Sequence, residues 1–116
     1  MVGHFGELEP TIIALESIDL ALSRIAKKVD ELHGVLLITA DHGNAEELLD
    51  EHGQPKTSHT TNLVPFIIYD NTENRDKYRL ARVENPCLAN IAATVADFLG
   101  ADNHPESWHH SLIMLK

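Results

Sequence analysis

Basic residues are scarce in this chain. Nine Lys and Arg stand against 18 Asp and Glu over 116 residues, a formal net charge of −9. That balance argues against nonspecific binding to nucleic acid or to an anionic membrane surface. An anionic substrate must instead meet a local cation, such as a bound metal. Cysteine is nearly absent: Cys87 alone rules out an internal disulfide framework. Beside apolar neighbours it reads as a buried small hydrophobe rather than a nucleophile. No apolar run approaches the ~20 residues that span a bilayer. The first residues lack the basic start and apolar core of a secretory signal, so the expected location is cytoplasmic. Internal repeats and low-complexity segments are also missing. A hydrophobic fraction of 43% is ordinary for a soluble globular protein. The length suffices for one compact domain.

What is present is an alternation of helical and strand-like segments. Residues 1–10 read as a loop rich in Gly and Pro. A helix is expected from about Pro10 or Thr11 to about His33, with Pro10 in its first turn. Leu15, Ile18, Leu22, Ile25, Val29 and Leu32 form its apolar stripe, and Gly34 caps it. Val35–Thr39 is short, apolar and rich in β-branched residues, as an interior parallel strand would be. A short helix over Ala45–Leu49, a second strand over Val64–Tyr69 and a surface loop from Asp70 to Arg82 follow. A last helix runs from Pro86 to Leu99, with Leu88, Ile91, Ala92, Val95, Phe98 and Leu99 facing the core and Gly100 as its cap. The tail ends in Leu112-Ile113-Met114-Leu115. The order is α/β. Two confident strands make a poor sheet, so the chain reads as a piece of a larger one.

The chemistry concentrates at Asp41-His42-Gly43-Asn44, where the first strand ends. Sites in open α/β sheets gather at the carboxyl ends of strands. A carboxylate and an imidazole stand side by side there. His59 lies in Ser58-His59-Thr60-Thr61-Asn62, just before the second strand, and His4 lies between Gly3 and Gly6. Together His4, Asp41, His42 and His59 make a candidate divalent-metal site. Adjacent residues on a strand point to opposite faces. Asp41 and His42 therefore share an ion only if the backbone turns at Gly43; otherwise they serve neighbouring ions. Each residue also has a plainer reading. Asp41 could cap a strand-to-helix turn, and His59 could be a hydrogen-bonded loop histidine. His33 suits a helix C-terminus. His52, His104, His109 and His110 read as solvated, as do Arg75, Arg79 and Arg82.

Thr39-Ala40-Asp41-His42-Gly43-Asn44-Ala45-Glu46, then Ser58-His59-Thr60-Thr61-Asn62 and Val64-Pro65-Phe66, resemble the cofactor-independent phosphoglycerate mutases of the alkaline phosphatase superfamily. The opening Met1-Val2-Gly3-His4 shares the resemblance, which runs through essentially the whole chain. It implies an alkaline-phosphatase-like three-layer α/β/α sandwich with a mostly parallel sheet, of which residues 1–116 would be a single partial domain, its C-terminal part. It implies two Mn²⁺ ions, with Mg²⁺, Co²⁺ or Zn²⁺ as possible substitutes. Asp41 and His42 resemble ligands of the ion that also holds a nucleophilic serine; His4 and His59 resemble ligands of the other. It implies an isomerase of glycolysis and gluconeogenesis that interconverts 3-phosphoglycerate and 2-phosphoglycerate through a phosphoserine. In the family an aspartate ligand lies four positions before the residue matching His4, and the serine and the arginine-rich substrate domain lie further upstream. None has a counterpart here.

The expectation is therefore a chain that supplies metal ligands only, is inactive alone, binds metal weakly, and self-associates through uncovered sheet surface. Small-molecule phosphoglycerate would be the partner of the parent enzyme. Two alternatives stay open: a small metal-dependent phosphohydrolase using metal-bound water, and a noncatalytic interaction module.

Overall fold

Helix α1 spans Leu8–Glu31 and is the longest element of a computed structural model that describes residues 7–101 and 103–116. The chain divides into two compact units, Met1–Thr72 and Glu73–Lys116. In the first unit, α1 begins and ends about two residues earlier than its periodicity indicates. Pro10 lies in the first turn, where its missing N–H costs nothing, and the Thr11 hydroxyl donates to the Glu7 carbonyl at 2.6 Å. At the far end His33, not Gly34, adopts the left-handed conformation, with φ of 53°. The His33 amide donates to the Asp30 carbonyl at 3.0 Å and the Gly34 amide to that of Val29 at 2.9 Å. This bond pair is a Schellman stop, with histidine in the place glycine usually takes.

Strand β1 spans Val35–Thr39 and β2 spans Phe66–Asp70. They pair antiparallel, from Val35 opposite Asp70 to Thr39 opposite Phe66. The mostly parallel sheet expected from the sequence is therefore not what the described residues form. An apolar strand reports cover on its faces but not the direction of its neighbour. β1 packs on α1, and the Tyr69 hydroxyl on β2 donates to the Asp30 carboxylate of α1 at 2.8 Å. That bond pushes the Tyr69 phenol above its ordinary value. The apolar stripe of α1 is only partly covered. Leu22 and Val29 are half-buried, while Leu15, Ile18, Ile25 and Leu32 are exposed.

The short helix expected over Ala45–Leu49 does not form. Leu49 instead bridges Pro55, and the Lys56 amide donates to the Leu48 carbonyl at 2.7 Å. Asp50 Oδ1 accepts the amides of His52 and Gln54 at 2.9 and 2.8 Å. A side chain that offers the backbone this turn outcompetes a five-residue helix.

In the second unit, a 3-10 turn at Arg75–Lys77 leads into β3, Tyr78–Leu80. It pairs antiparallel with β4, Ile113–Leu115. The sequence reading placed β3 inside a surface loop, because three residues carry too little pattern to reveal a strand. Helix α2 covers Asn90–Phe98. Gly100, with φ of 73°, ends it as expected. The buried face is Asn90, Ala93 and Thr94; Leu88, Val95 and Leu99 are exposed. The hydrogen bonds explain this rotation. Thr94 Oγ1 donates to the Asn90 carbonyl and accepts the Leu112 amide, both at 2.8 Å. Asn90 Nδ2 donates to the His110 carbonyl at 2.7 Å. The helix buries the side that can satisfy the returning chain. Cys87, expected to be buried, is exposed. Among the described residues the buried apolar side chains are Ala93 and Ile113, and no helix is long and apolar enough to cross a membrane.

Candidate metal centre

β1 ends at Thr39 and delivers Asp41 and His42 into a turn. The turn is held by Gly43, which is buried and bridges Thr60: the Thr60 amide donates to the Gly43 carbonyl at 2.9 Å. Sequence reasoning gave Gly43 the job of permitting a turn. Its φ is not left-handed. The requirement is steric: a Cβ there would stand closer than 3.0 Å to Thr60 Oγ1 and to Glu46 Oε1. Any larger residue would push the Thr60 and Glu46 side chains out of their present places.

The approach brings two of the sequence-predicted residues into contact. The His42 and His59 rings stack with centroids 3.5 Å apart and planes inclined by 11°. His42 Nδ1 lies 3.1 Å from the Gly43 carbonyl. A carbonyl only accepts, so Nδ1 carries the proton, and in the neutral ring the lone pair sits on Nε2. Metal-bound histidines usually donate their other ring N–H in this way. His42 Nε2 is 3.5 Å from Asp41 Oδ1, and the Asp41 side chain is 88% exposed. Two donors at that separation, one oxygen and one nitrogen, suit a single divalent ion with bonds of roughly 2.0–2.2 Å. The donor chemistry therefore fits a metal at Asp41 and His42. His59 cannot complete the same ion through its ring plane. Nearly parallel planes 3.5 Å apart meet only far beyond bonding distance. Among the described residues no group of three or more His, Cys, Asp and Glu converges on one point. His4 lies outside the described residues.

Glu46 is the residue that sequence reasoning missed. Its carboxylate accepts the Thr60 hydroxyl, the Asn62 side-chain amide at 3.2 Å and the Asn44 backbone amide at 2.7 Å. The Thr60 hydrogen bond is the largest cause that holds the Glu46 carboxyl down to about 2; backbone amides and Asn62 add to it. Glu47 is also lowered, chiefly by Lys56, whose Nζ lies 2.5 Å away. Asn62 reaches Glu47 as well, at 3.3 Å. Glu46 thus fastens the loop carrying His59 to the turn carrying His42. The available signal was an acid two residues beyond Asn44 and two donors, Thr60 and Asn62, just after His59.

The remaining histidines differ from their solvated reading in part. His104 is half-buried, with Nε2 2.9 Å from Asp97 Oδ1 and its ring stacked on Trp108 at 5.8 Å. His109 contacts Cys87. His52 stays exposed beside Glu51.

The sequence profile of the Metalloenzyme superfamily matches residues 1–103. The chain is 44% identical to the 2,3-bisphosphoglycerate-independent phosphoglycerate mutase of Picosynechococcus sp., over 97% of its own length and 22% of that protein. It is likewise 44% identical to the mutase of the same name from Moorella thermoacetica, covering 98% of the chain and 21% of the relative. Its fold superposes on a crystal structure of Leishmania mexicana phosphoglycerate mutase determined at low cobalt concentration. The TM-score is 0.83 and the identity 34%, covering 99% of this chain and 23% of that one. The chain thus spans about a fifth of the length of the curated relatives it matches.

Proposed function

Since this chain belongs to the Metalloenzyme superfamily, we propose that it is the C-terminal part of the metal-binding, phosphatase-like domain of a 2,3-bisphosphoglycerate-independent phosphoglycerate mutase. The whole enzyme interconverts 3-phosphoglycerate and 2-phosphoglycerate in the cytoplasm. Its domain is a three-layer α/β/α sandwich, within which residues 1–116 form one partial domain. The observation that carries this reading is the joining of the Asp41-His42 turn to His59, in a chain 44% identical to such mutases over 97% of its length.

In this reading Asp41 and His42 Nε2 hold one divalent ion, Mn²⁺ or a close substitute. His59 and His4 contribute to a second. The ring geometry supports two ions, because His42 and His59 cannot aim at one point. A pair of divalent ions, when bound, offsets the charge on a transferring phosphoryl group. The protein's own share is positioning. The Gly43 carbonyl sets the His42 tautomer, and Glu46, whose carboxyl the Thr60 hydrogen bond holds well below its ordinary value, locks the His59 loop in place. With a net charge of −9 the chain offers no general attraction to a phosphorylated acid, so local cations must supply it. The exposed leucines and isoleucines of α1 agree with a domain whose other layers come from the rest of the enzyme.

A segment swap tests this. Residues 1–116 replace the matching segment of the Picosynechococcus mutase, and the hybrid is assayed with Mn²⁺ on both phosphoglycerates. Mutase activity is expected. Asp41→Asn or His59→Ala in the hybrid should lower it at least ~100-fold, as for groups that act at the transferring centre. A folded hybrid that hydrolyses phosphomonoesters but never isomerises phosphoglycerate would make the phosphohydrolase reading the correct one.

A further inference from the structure

The chain's one thiol is not isolated. Cys87 Sγ lies 3.6 Å from His109 Nδ1, across 22 residues of sequence. One buried side chain holds the two segments together. Asn90 is 1% exposed. Its Oδ1 accepts the Cys87 amide at 2.7 Å, and its Nδ2 donates to the His110 carbonyl at 2.7 Å. The Asn90 amide in turn donates to the Cys87 carbonyl at 3.0 Å. The backbone beside the thiol and the backbone beside the imidazole are therefore fixed by the same amide group. Cys87 is exposed. Its sulfur is thus open to a small reagent from solvent, while His109 also lines a neighbouring cavity that Cys87 does not line. The pair shares no residue with the Asp41, His42 and His59 centre.

A thiol in hydrogen-bond reach of an imidazole is the arrangement of an assisted nucleophile. We infer that Cys87 and His109 form a nucleophile–base pair and make Cys87 a modification site for small peroxides. His109 Nδ1 takes the thiol proton as sulfur attacks one peroxide oxygen. The sulfur electron pair forms the S–O bond and the O–O bond breaks. The leaving hydroxide takes the proton back from His109 and departs as water. Cys87 becomes a sulfenic acid: sulfur loses two electrons and the peroxide gains them. With no second cysteine in the chain, the sulfenic acid has no internal thiol with which to condense.

The test uses the full chain and hydrogen peroxide, with dimedone to trap the sulfenic acid and mass spectrometry to count it. Cys87 is the one cysteine, so the signal has a single source. His109→Gln should slow trapping at neutral pH by about tenfold or more, a modest part of the ~10²–10⁴-fold that a positioned base can contribute. His109 is exposed, so the variant keeps its fold. In concentrated urea, where the pair is parted, wild type and variant should react at the same rate. Equal rates for the two folded proteins would overturn the proposal. So would an advantage of the wild type that survives in urea, because it could not arise from the folded geometry.

Discussion

Gly43→Ala puts the construction of the candidate metal centre under direct strain. The added methyl would stand closer than 3.0 Å to Thr60 Oγ1 and Glu46 Oε1. Two ways of relieving that contact exist. The Glu46 and Thr60 side chains can both swing away, but they then give up the hydrogen bonds among Glu46, Thr60 and Asn62 that hold the His59 loop. Alternatively the two backbones can part, which breaks the 2.9 Å bond from the Thr60 amide to the Gly43 carbonyl. Overpacking of this kind costs typically ~1–3 kcal/mol. The second route also separates His42 from His59, whose segments that bond joins. Gly53→Ala is the control. Gly53 has a left-handed φ of 73° and nothing within 4 Å of an added methyl, so it pays backbone strain alone, with no contact to His42 or His59. Urea unfolding should register a loss in both variants. Imidazole proton shifts, which stacked rings displace, should move toward free-histidine values in Gly43→Ala and stay put in Gly53→Ala. Unchanged His42 and His59 shifts in a destabilised Gly43→Ala would refute the claim that this close approach builds the centre.

Other perturbations probe the same account at different points. Asn90→Ala leaves the Cys87 amide and the His110 carbonyl without their 2.7 Å partner; at roughly 0.5–1.5 kcal/mol for each hydrogen bond lost, urea unfolding should show a clear loss, and a change under about 0.5 kcal/mol would mean that water replaces the amide. The Glu46 carboxyl is depressed from 4.5 to about 2, so its contribution is fully present above pH 4.5 and is lost as pH falls toward about 2. A carboxyl carbon titration by NMR should find Glu46 ionised well below the other glutamates, and a midpoint above 4 would contradict the Thr60 tether. Tyr69 works in the opposite sense: its raised phenol stabilises the α1–β2 link below about pH 10 and ceases to do so as pH rises through its folded value. The isolated chain should self-associate through the exposed apolar residues of α1, since burial is worth ~25 cal/mol per Å². Light scattering that reports a strict monomer at high concentration would count against the partial-domain reading.

The sequence was most informative where a pattern repeats over many residues. The period of α1 gave its extent to within two or three residues at each end, and the apolar runs located β1 and β2. Direction was not legible, because Val35–Thr39 would read the same beside a parallel or an antiparallel neighbour. The three-residue strands β3 and β4 lie below the length at which alternation can be seen. The face of α2 was misjudged because its burial follows hydrogen bonds from Asn90 and Thr94, which hydrophobicity does not register. His104 was misplaced because its partners Asp97 and Trp108 form no sequence pattern, and Cys87 because its apolar neighbour Leu88 is itself exposed. At the candidate centre the ligand types were readable from Asp41-His42 and His59. The tether was not, since Glu46 looks like any surface glutamate until Thr60 and Asn62 are seen around it.

Anomalous diffraction from Mn²⁺-loaded crystals of the segment-swapped mutase tests the central claim most directly. Two peaks are expected, one bound by Asp41 and His42 Nε2 and the other by His59. A single peak bridging His42 and His59, or manganese bound elsewhere with these three side chains unliganded, would contradict it.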